Sequence, residues 1–181
     1  YVLSLIGILT MFSLTGMNIS VAQAVATGNE GALKASVRYQ FKWNLLMVVA
    51  SWTLAAYYLW QQNTDIFIAL FILGFITPLT YTFNTYGAYL EGKKDFKRKS
   101  IFLIWSTVIY AAGMLPAIYF GKNMLWLIAA YAITSFLSNL FFYIKTLKIY
   151  LFESARVFIF VILPLLLIAA IIEGSLIFLF R

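Results

Sequence analysis

The polar side chains of this chain that could carry chemistry are amides, hydroxyls and cations set within long apolar runs. Asn18 and Gln23 lie near the end of the first run, and Thr77, Thr80 and Asn84 lie in a later one. The spacing i, i+3, i+7 of the latter three would place them on one side of a helix. Because amides and hydroxyls need hydrogen-bond partners in hydrocarbon, we expect these groups either to bond neighbouring helices or to line a water-filled cavity.

Two residue types that commonly serve as metal ligands, general bases or nucleophiles are missing from the sequence. It contains no histidine and no cysteine. A Ser-His or Cys-His nucleophile and a zinc site built on imidazole or thiolate are therefore excluded within this sequence. We expect no catalytic residue, no bound metal and no cofactor.

A cationic pattern occupies the segment between the first two apolar runs. Residues recur every four positions in two stripes, the cations Lys34, Arg38 and Lys42 and the apolar Leu33, Val37 and Phe41. On a helix the two stripes would be adjacent, which is typical of an interfacial helix that lies against anionic lipid headgroups. In the alternative interpretation, Arg38 and Lys42, close to Asn44, face an anionic lipid-linked substrate.

The composition indicates the environment in which these residues must be positioned. Of the 181 residues, 64% are apolar and only 10% are charged, whereas soluble domains are about 45–50% apolar and about 25% charged. Six apolar runs of about 20 residues are each long enough to cross the membrane as a helix. They are 1–21, 43–60, 66–90, 101–120, 124–144 and 157–180. The sequence therefore predicts an all-α, polytopic membrane protein with about six transmembrane helices.

The net charge of +7 is distributed unevenly among the loops. The even loops carry only Lys122, while the odd loops carry Lys34, Arg38, Lys42, Lys93, Lys94, Lys97, Arg98, Lys99, Lys145, Lys148 and Arg156. This alternation follows the positive-inside rule and predicts that loops 28–42, 91–100 and 145–156 are cytoplasmic, in a cell inner (plasma) membrane. Nucleic acid binding would not produce such an alternation, so we expect no nucleic acid partner.

This orientation makes the first run pass from the outside to the inside. The chain also begins with Tyr1 rather than Met, and its first residues lack the basic region of a signal peptide. We therefore expect it to be a fragment of a longer membrane protein.

Three segments carry a resemblance to a known family. They are GMN at 16–18 with QAVATG at 23–28, RYQFKWNLL at 38–46, and FNTY at 83–86 with LEGKKDFK at 90–97. Together they resemble the lipid-linked oligosaccharide (O-antigen type) flippases of the multidrug/oligosaccharidyl-lipid/polysaccharide exporter superfamily. The resemblance covers residues 1–148, and the first run resembles the second span of that family.

The resemblance implies a fold, a function and a set of site residues. Such proteins consist of two six-helix bundles around a central cavity, and they move an undecaprenyl-diphosphate-linked oligosaccharide from the inner to the outer leaflet by alternating access. The implied partners are that lipid, anionic headgroups and the remainder of the transporter. Cations in the cavity would attract the diphosphate. The candidate residues of the substrate path are Asn18, Gln23, Arg38, Lys42, Asn44, Thr77, Thr80 and Asn84.

The last part of the chain departs from the family pattern. Residues 149–181 are almost entirely apolar where the family has a polar connection and a polar seventh span. We therefore divide the chain into a flippase-like bundle of five spans at 1–148 and a divergent sixth span at 149–181. A non-catalytic membrane scaffold remains an alternative, and so does a membrane enzyme acting on lipid-linked sugars. The short external loops, however, leave little room for an active site.

Overall fold

Every regular element of the described chain is helical. The computed structural model describes residues 1–14, 16–120 and 124–151, and no strand occurs in these ranges. The α-helices are α1 (Val2–Leu9), α2 (Met17–Ala26), α3 (Ala32–Trp60), α4 (Thr64–Asn84), α5 (Tyr86–Gly92), α6 (Phe96–Phe120) and α7 (Met124–Leu151). The predicted all-α class is confirmed. The predicted sixth span at 157–180, Lys122 and Arg156 lie outside the described residues.

Within these ranges, three helices are long and apolar enough to cross a membrane. They are Thr64–Gly92, which joins α4 and α5, Phe96–Tyr119 in α6, and Met124–Tyr150 in α7. A fourth is obtained if α1 and α2 are taken as one bent span. The described residues thus support a membrane protein with three or four such spans, and six are not shown.

The first apolar run forms two helices instead of one. α1 is followed by a 3₁₀ turn at Thr10–Phe12, and the segments before and after the break are bent by 53°. At the break Ser13 has an extended backbone, and its hydroxyl donates to the carbonyl of Thr10 at 2.6 Å. Thr10 donates in the same way to Gly7, also at 2.6 Å. Such local bonds compete with the helical ladder, which explains why the run does not continue as one helix.

α3 joins the predicted cationic connector and the predicted second span in one 29-residue helix. It is long enough to cross a membrane but is not among the three helices that are also apolar enough. Lys34, Arg38 and Lys42 occupy its first half, and Asn44 follows directly. The cationic stripe is therefore an extension of the second predicted span along the same helix.

α3 packs mainly on α4 through a stripe of mostly small and polar residues. The buried members recur every three or four positions and are Leu33, Ser36, Gln40, Asn44, Met47, Ser51 and Ala55. The two backbones approach closely where Gly74 of α4 meets Ser51, because a Cβ on Gly74 would overlap the Ser51 side chain. Small residues at such crossings are typical of helix pairs in membranes.

α2 packs on α5, and the two basic loops meet at that end of the helices. A Cβ on Gly92 would overlap Ala22 and Val25 of α2. Just beyond it, Lys93 forms an ion pair with Glu30, which lies between α2 and α3. At the other end, the hydroxyls of Tyr1 and Tyr58 share a hydrogen bond. These contacts show that α2, α3 and the helix Thr64–Gly92 run in alternating directions.

The remaining described helices pack through apolar and aromatic side chains. A core of aliphatic residues joins α1, α3, α4 and α7, and an aromatic group joins the end of α4 with α5, α6 and α7. Of the residues in the most apolar part of α6, only 6% are buried inside the protein. Such a surface is compatible with contact with lipid.

The chain divides into two units, residues 1–143 and residues 144–181. The first contains α1–α6 and most of α7. In the second, the described residues 144–151 are the last two turns of α7. The candidate site lies entirely in the first unit.

Candidate functional site

The centre of the candidate site is a hydrogen-bonded group that joins α3 to α4. The Asn44 amide nitrogen donates to the Pro78 carbonyl at 2.9 Å and to Thr82 Oγ1 at 2.7 Å. Thr82 Oγ1 in turn donates to the same Pro78 carbonyl at 2.9 Å. All three residues are buried. These contacts give hydrogen-bond partners to the Asn44 amide nitrogen and the Thr82 hydroxyl, which lipid could not provide.

The proline places this group at a special point of α4. Pro78 has no backbone N–H, so it cannot make the usual bond to the carbonyl of Gly74 one turn earlier. Gly74 also packs closely on α3, opposite Ser51. The weakened turn of α4 is thus in tight contact with α3 at its first residue and hydrogen-bonded to Asn44 of α3 at its last.

A second polar contact lies one turn along the same stripe. Thr85 Oγ1 donates to Gln40 Oε1 at 3.1 Å, and both residues are buried. Thr85 is the residue between α4 and α5. Gln40 and Asn44 together therefore hold the C-terminal end of α4 against α3.

Next to this stripe is a small, partly open cavity of about 10 Å³. Its lining comes from the break after α1 and from α2, α3 and α4, and consists of Ser13, Leu14, Asn18, Gln40, Asn44 and Tyr81. The Oδ1 atoms of Asn18 and Asn44 are buried and accept no hydrogen bond from any residue that the structure describes. This volume holds about one water molecule.

The structure brings together only two of the predicted site residues, Asn18 and Asn44, in this cavity. Gln23 on α2 and Asn84 at the end of α4 are exposed. Thr77 and Thr80 are half-buried, and the Thr80 hydroxyl donates to Ile76 of its own helix at 3.0 Å.

The two predicted cations lie on another side of α3. Arg38 and Lys42 are exposed, and neither forms an ion pair with a residue in the described ranges. Each is two positions from the buried Gln40, which on a helix is a rotation of about 200°. The cationic stripe thus points away from the buried polar stripe.

Sequence reasoning did not identify Gln40, Ser51, Thr82 and Thr85, which are fully or almost fully buried. On α4, the predicted polar face at 77, 80 and 84 is rotated by about one position from the buried one at 74, 78 and 82. The available signal was the spacing of Ser36, Gln40, Asn44 and Ser51 on α3. The prediction followed instead the stripe of lysine and arginine on another face of the same helix.

Comparison of the chain with family models, curated proteins and solved structures finds no match. The geometry described above is therefore the main basis for a functional proposal.

Proposed function

We propose that this chain forms part of a membrane transporter that moves a lipid-linked oligosaccharide from the inner to the outer leaflet, the activity that its resemblance to the O-antigen flippases implies. The observation that carries the proposal is the two-sided character of α3. One side is a buried polar stripe that holds α4, and the other is an exposed stripe with Arg38 and Lys42.

The exposed cations support a path for a diphosphate. A phosphate in a membrane needs positive partners, and arginine can bind it through two parallel hydrogen bonds. Arg38 and Lys42 make no ion pair with a described residue, so their charge is available to a ligand. We assign them to the inner entrance of the substrate path, with the exposed Asn84 as a further candidate.

The size of the cavity supports a different assignment for Asn18 and Asn44. Sites for small molecules occupy about 300–1,000 Å³, far more than the 10 Å³ beside these residues. We therefore propose that Asn18 and Asn44 stabilise the bundle and that the path lies along the exposed side of α3. Transporter sites commonly form between repeats near the middle of the membrane, so other helices of the transporter would complete this one.

The contacts between loops support the proposed orientation. The ion pair between Glu30 and Lys93 joins loop 28–42 to loop 91–100. Because both loops are basic, the positive-inside rule favours the cytoplasmic side for this end of the helices. We therefore propose that Arg38, about two turns into α3 from that end, lies where a substrate would enter from the inner leaflet.

The test uses Arg38→Ala and Arg38→Lys in the protein expressed from the gene that encodes this chain. The readouts are surface polysaccharide and protein abundance in a strain whose own flippase is deleted. We expect Arg38→Ala to reduce surface polysaccharide at least tenfold at unchanged abundance. Arg38→Lys should restore only part of the export, because a lysine cannot make the paired contact with phosphate.

Lys97→Ala is the matched control, since Lys97 is also an exposed cation near the same end but does not lie on α3. It should leave export unchanged. If the wild-type gene fails to restore polysaccharide, the proposed activity is excluded. If Arg38→Ala lowers abundance and export equally, Arg38 has a structural role and is not part of the substrate path.

A further inference from the structure

Two residues that line the cavity between α2, α3 and α4 have a buried hydrogen-bond acceptor without a donor among the described residues. Asn44 and Asn18 both line this cavity, and the buried Oδ1 of neither accepts a hydrogen bond from a described residue. Leaving buried polar groups without partners costs about 1–3 kcal/mol each. A species that can donate to both oxygens at once would remove this cost.

The orientation of the Asn44 amide is fixed by its other contacts. Its nitrogen lies 2.9 Å from the Pro78 carbonyl, which can only accept a hydrogen bond. Exchanging the nitrogen and oxygen of the Asn44 amide would place its oxygen against the Pro78 carbonyl oxygen, and neither atom can donate a hydrogen bond. The acceptor of Asn44 that lacks a partner is therefore its oxygen, on a residue that lines the cavity.

Two residues of the lining also carry hydrogen-bond donors. They are Tyr81, with its hydroxyl, and Gln40, whose amide has a nitrogen in addition to the oxygen that accepts from Thr85. A ligand here meets two acceptors and at least one possible donor. Of small species, water matches this set, since it donates twice and accepts as well.

We propose that this cavity binds one water molecule that donates to Asn18 Oδ1 and Asn44 Oδ1 and so connects α2 to the α3–α4 pair. The volume of about 10 Å³ is sufficient for one water and too small for a hydrated ion. The site does not depend on the proposed transport activity. It gives Asn18 a role in joining helices.

The experiment is NMR of the whole chain, labelled with ¹⁵N-asparagine, in lipid nanodiscs. Magnetisation transfer from long-lived water to the side-chain amide protons of Asn44 should be observed. Asn18→Leu removes one acceptor and should reduce this transfer at least fivefold. Asn18→Asp keeps an acceptor and should retain the transfer, which separates loss of the water from loss of the fold.

Asn139→Leu is the control, because Asn139 is a half-buried helix residue whose amide donates to Ser135 of its own helix at 2.9 Å. It should leave the Asn44 signal unchanged. Absence of transfer in the wild-type chain, or transfer that survives Asn18→Leu, would overturn the proposal.

The ionic composition of the buffer distinguishes water from a cation. Replacing sodium chloride by choline chloride should leave the Asn44 signals and the melting temperature unchanged. A sodium-dependent change in both would show that the acceptors hold a cation, and the water proposal would then be wrong.

Discussion

The amide nitrogen of Asn44 lies 2.9 Å from the carbonyl oxygen of Pro78, so that a polar side chain of α3 contacts α4 at its proline. The same nitrogen reaches Thr82 Oγ1 at 2.7 Å. Two interhelical bonds thus depend on one buried residue. Asn44 and Pro78 are 34 residues apart in the sequence, and only the pairing of α3 with α4 brings them together.

The first prediction concerns the stability of this pairing. Replacing Asn44 by Leu removes both bonds and leaves Thr82 without its donor, and interhelical bonds in membranes average about 0.6 kcal/mol each. We expect a loss of about 1–3 kcal/mol in the free energy of unfolding, measured by titration with a denaturing detergent. Asn84→Leu, at an exposed position of α4, should cost less than about 0.5 kcal/mol. Equal effects of the two changes would show that the Asn44 contacts contribute nothing measurable.

The second prediction concerns the close contact between Gly74 of α4 and Ser51 of α3. A methyl group at position 74 would overlap Ser51, so Gly74→Ala should destabilise the chain by about 1–3 kcal/mol in the same titration. Gly7→Ala is the matched control, because nothing lies within 4 Å of its added Cβ. Alanine is also the better helix former, by about 1 kcal/mol. This control should therefore be neutral or stabilising.

A compensating change makes this prediction specific. Ser51→Gly removes the side chain that the new methyl group would meet. The double variant Gly74→Ala with Ser51→Gly should recover at least half of the lost stability. If Gly74→Ala remains as destabilising in the Ser51→Gly background, the cause is something other than the overlap.

Hydrophobic run length made the helical class and the approximate positions of α4, α6 and α7 predictable. It could not reveal the break after α1, because serine and threonine are apolar enough to be tolerated in a membrane run. The decisive feature there is a local bond from Ser13 to the Thr10 carbonyl. The prediction from apolar runs also divided α3 into a connector and a span, because charged residues end an apolar run without ending a helix.

The buried polar site was only partly predictable for a related reason. A helical spacing shows which residues share a face but not which face meets a neighbour. Asn44 was identified from its proximity to the cationic stripe, whereas its partner Thr82 lies one position around α4 from the predicted face. The choice between the faces depends on where Gly74 and Pro78 permit close contact, which a single sequence does not express.

The third prediction tests the contact between the two basic loops. The chain has no cysteine of its own, so Glu30→Cys with Lys93→Cys introduces the only pair. Because Glu30 and Lys93 form an ion pair through the ends of their side chains, we expect a short bis-methanethiosulfonate crosslinker to link the two thiols within the chain, detected as a change in gel mobility that a reductant reverses. The control pair, Glu30→Cys with Gln61→Cys, joins positions before and after the 29-residue helix α3 and should not link. Linkage of the control, or none in the test pair, would contradict the arrangement of α2, α3 and α5.

The last prediction concerns the side of the membrane on which these loops lie. Lys97→Cys and Gln61→Cys place single thiols at exposed positions beyond opposite ends of Thr64–Gly92, a helix long enough to span the membrane. Since the basic loops favour the cytoplasm, a membrane-impermeant maleimide added to intact cells should label Gln61→Cys and should label Lys97→Cys only after the membrane is permeabilised. Equal labelling of both in intact cells would mean that Thr64–Gly92 does not cross the membrane. The reverse pattern would keep the span but invert the orientation, and Arg38 would then lie at the outer face, where it could not receive a substrate from the inner leaflet.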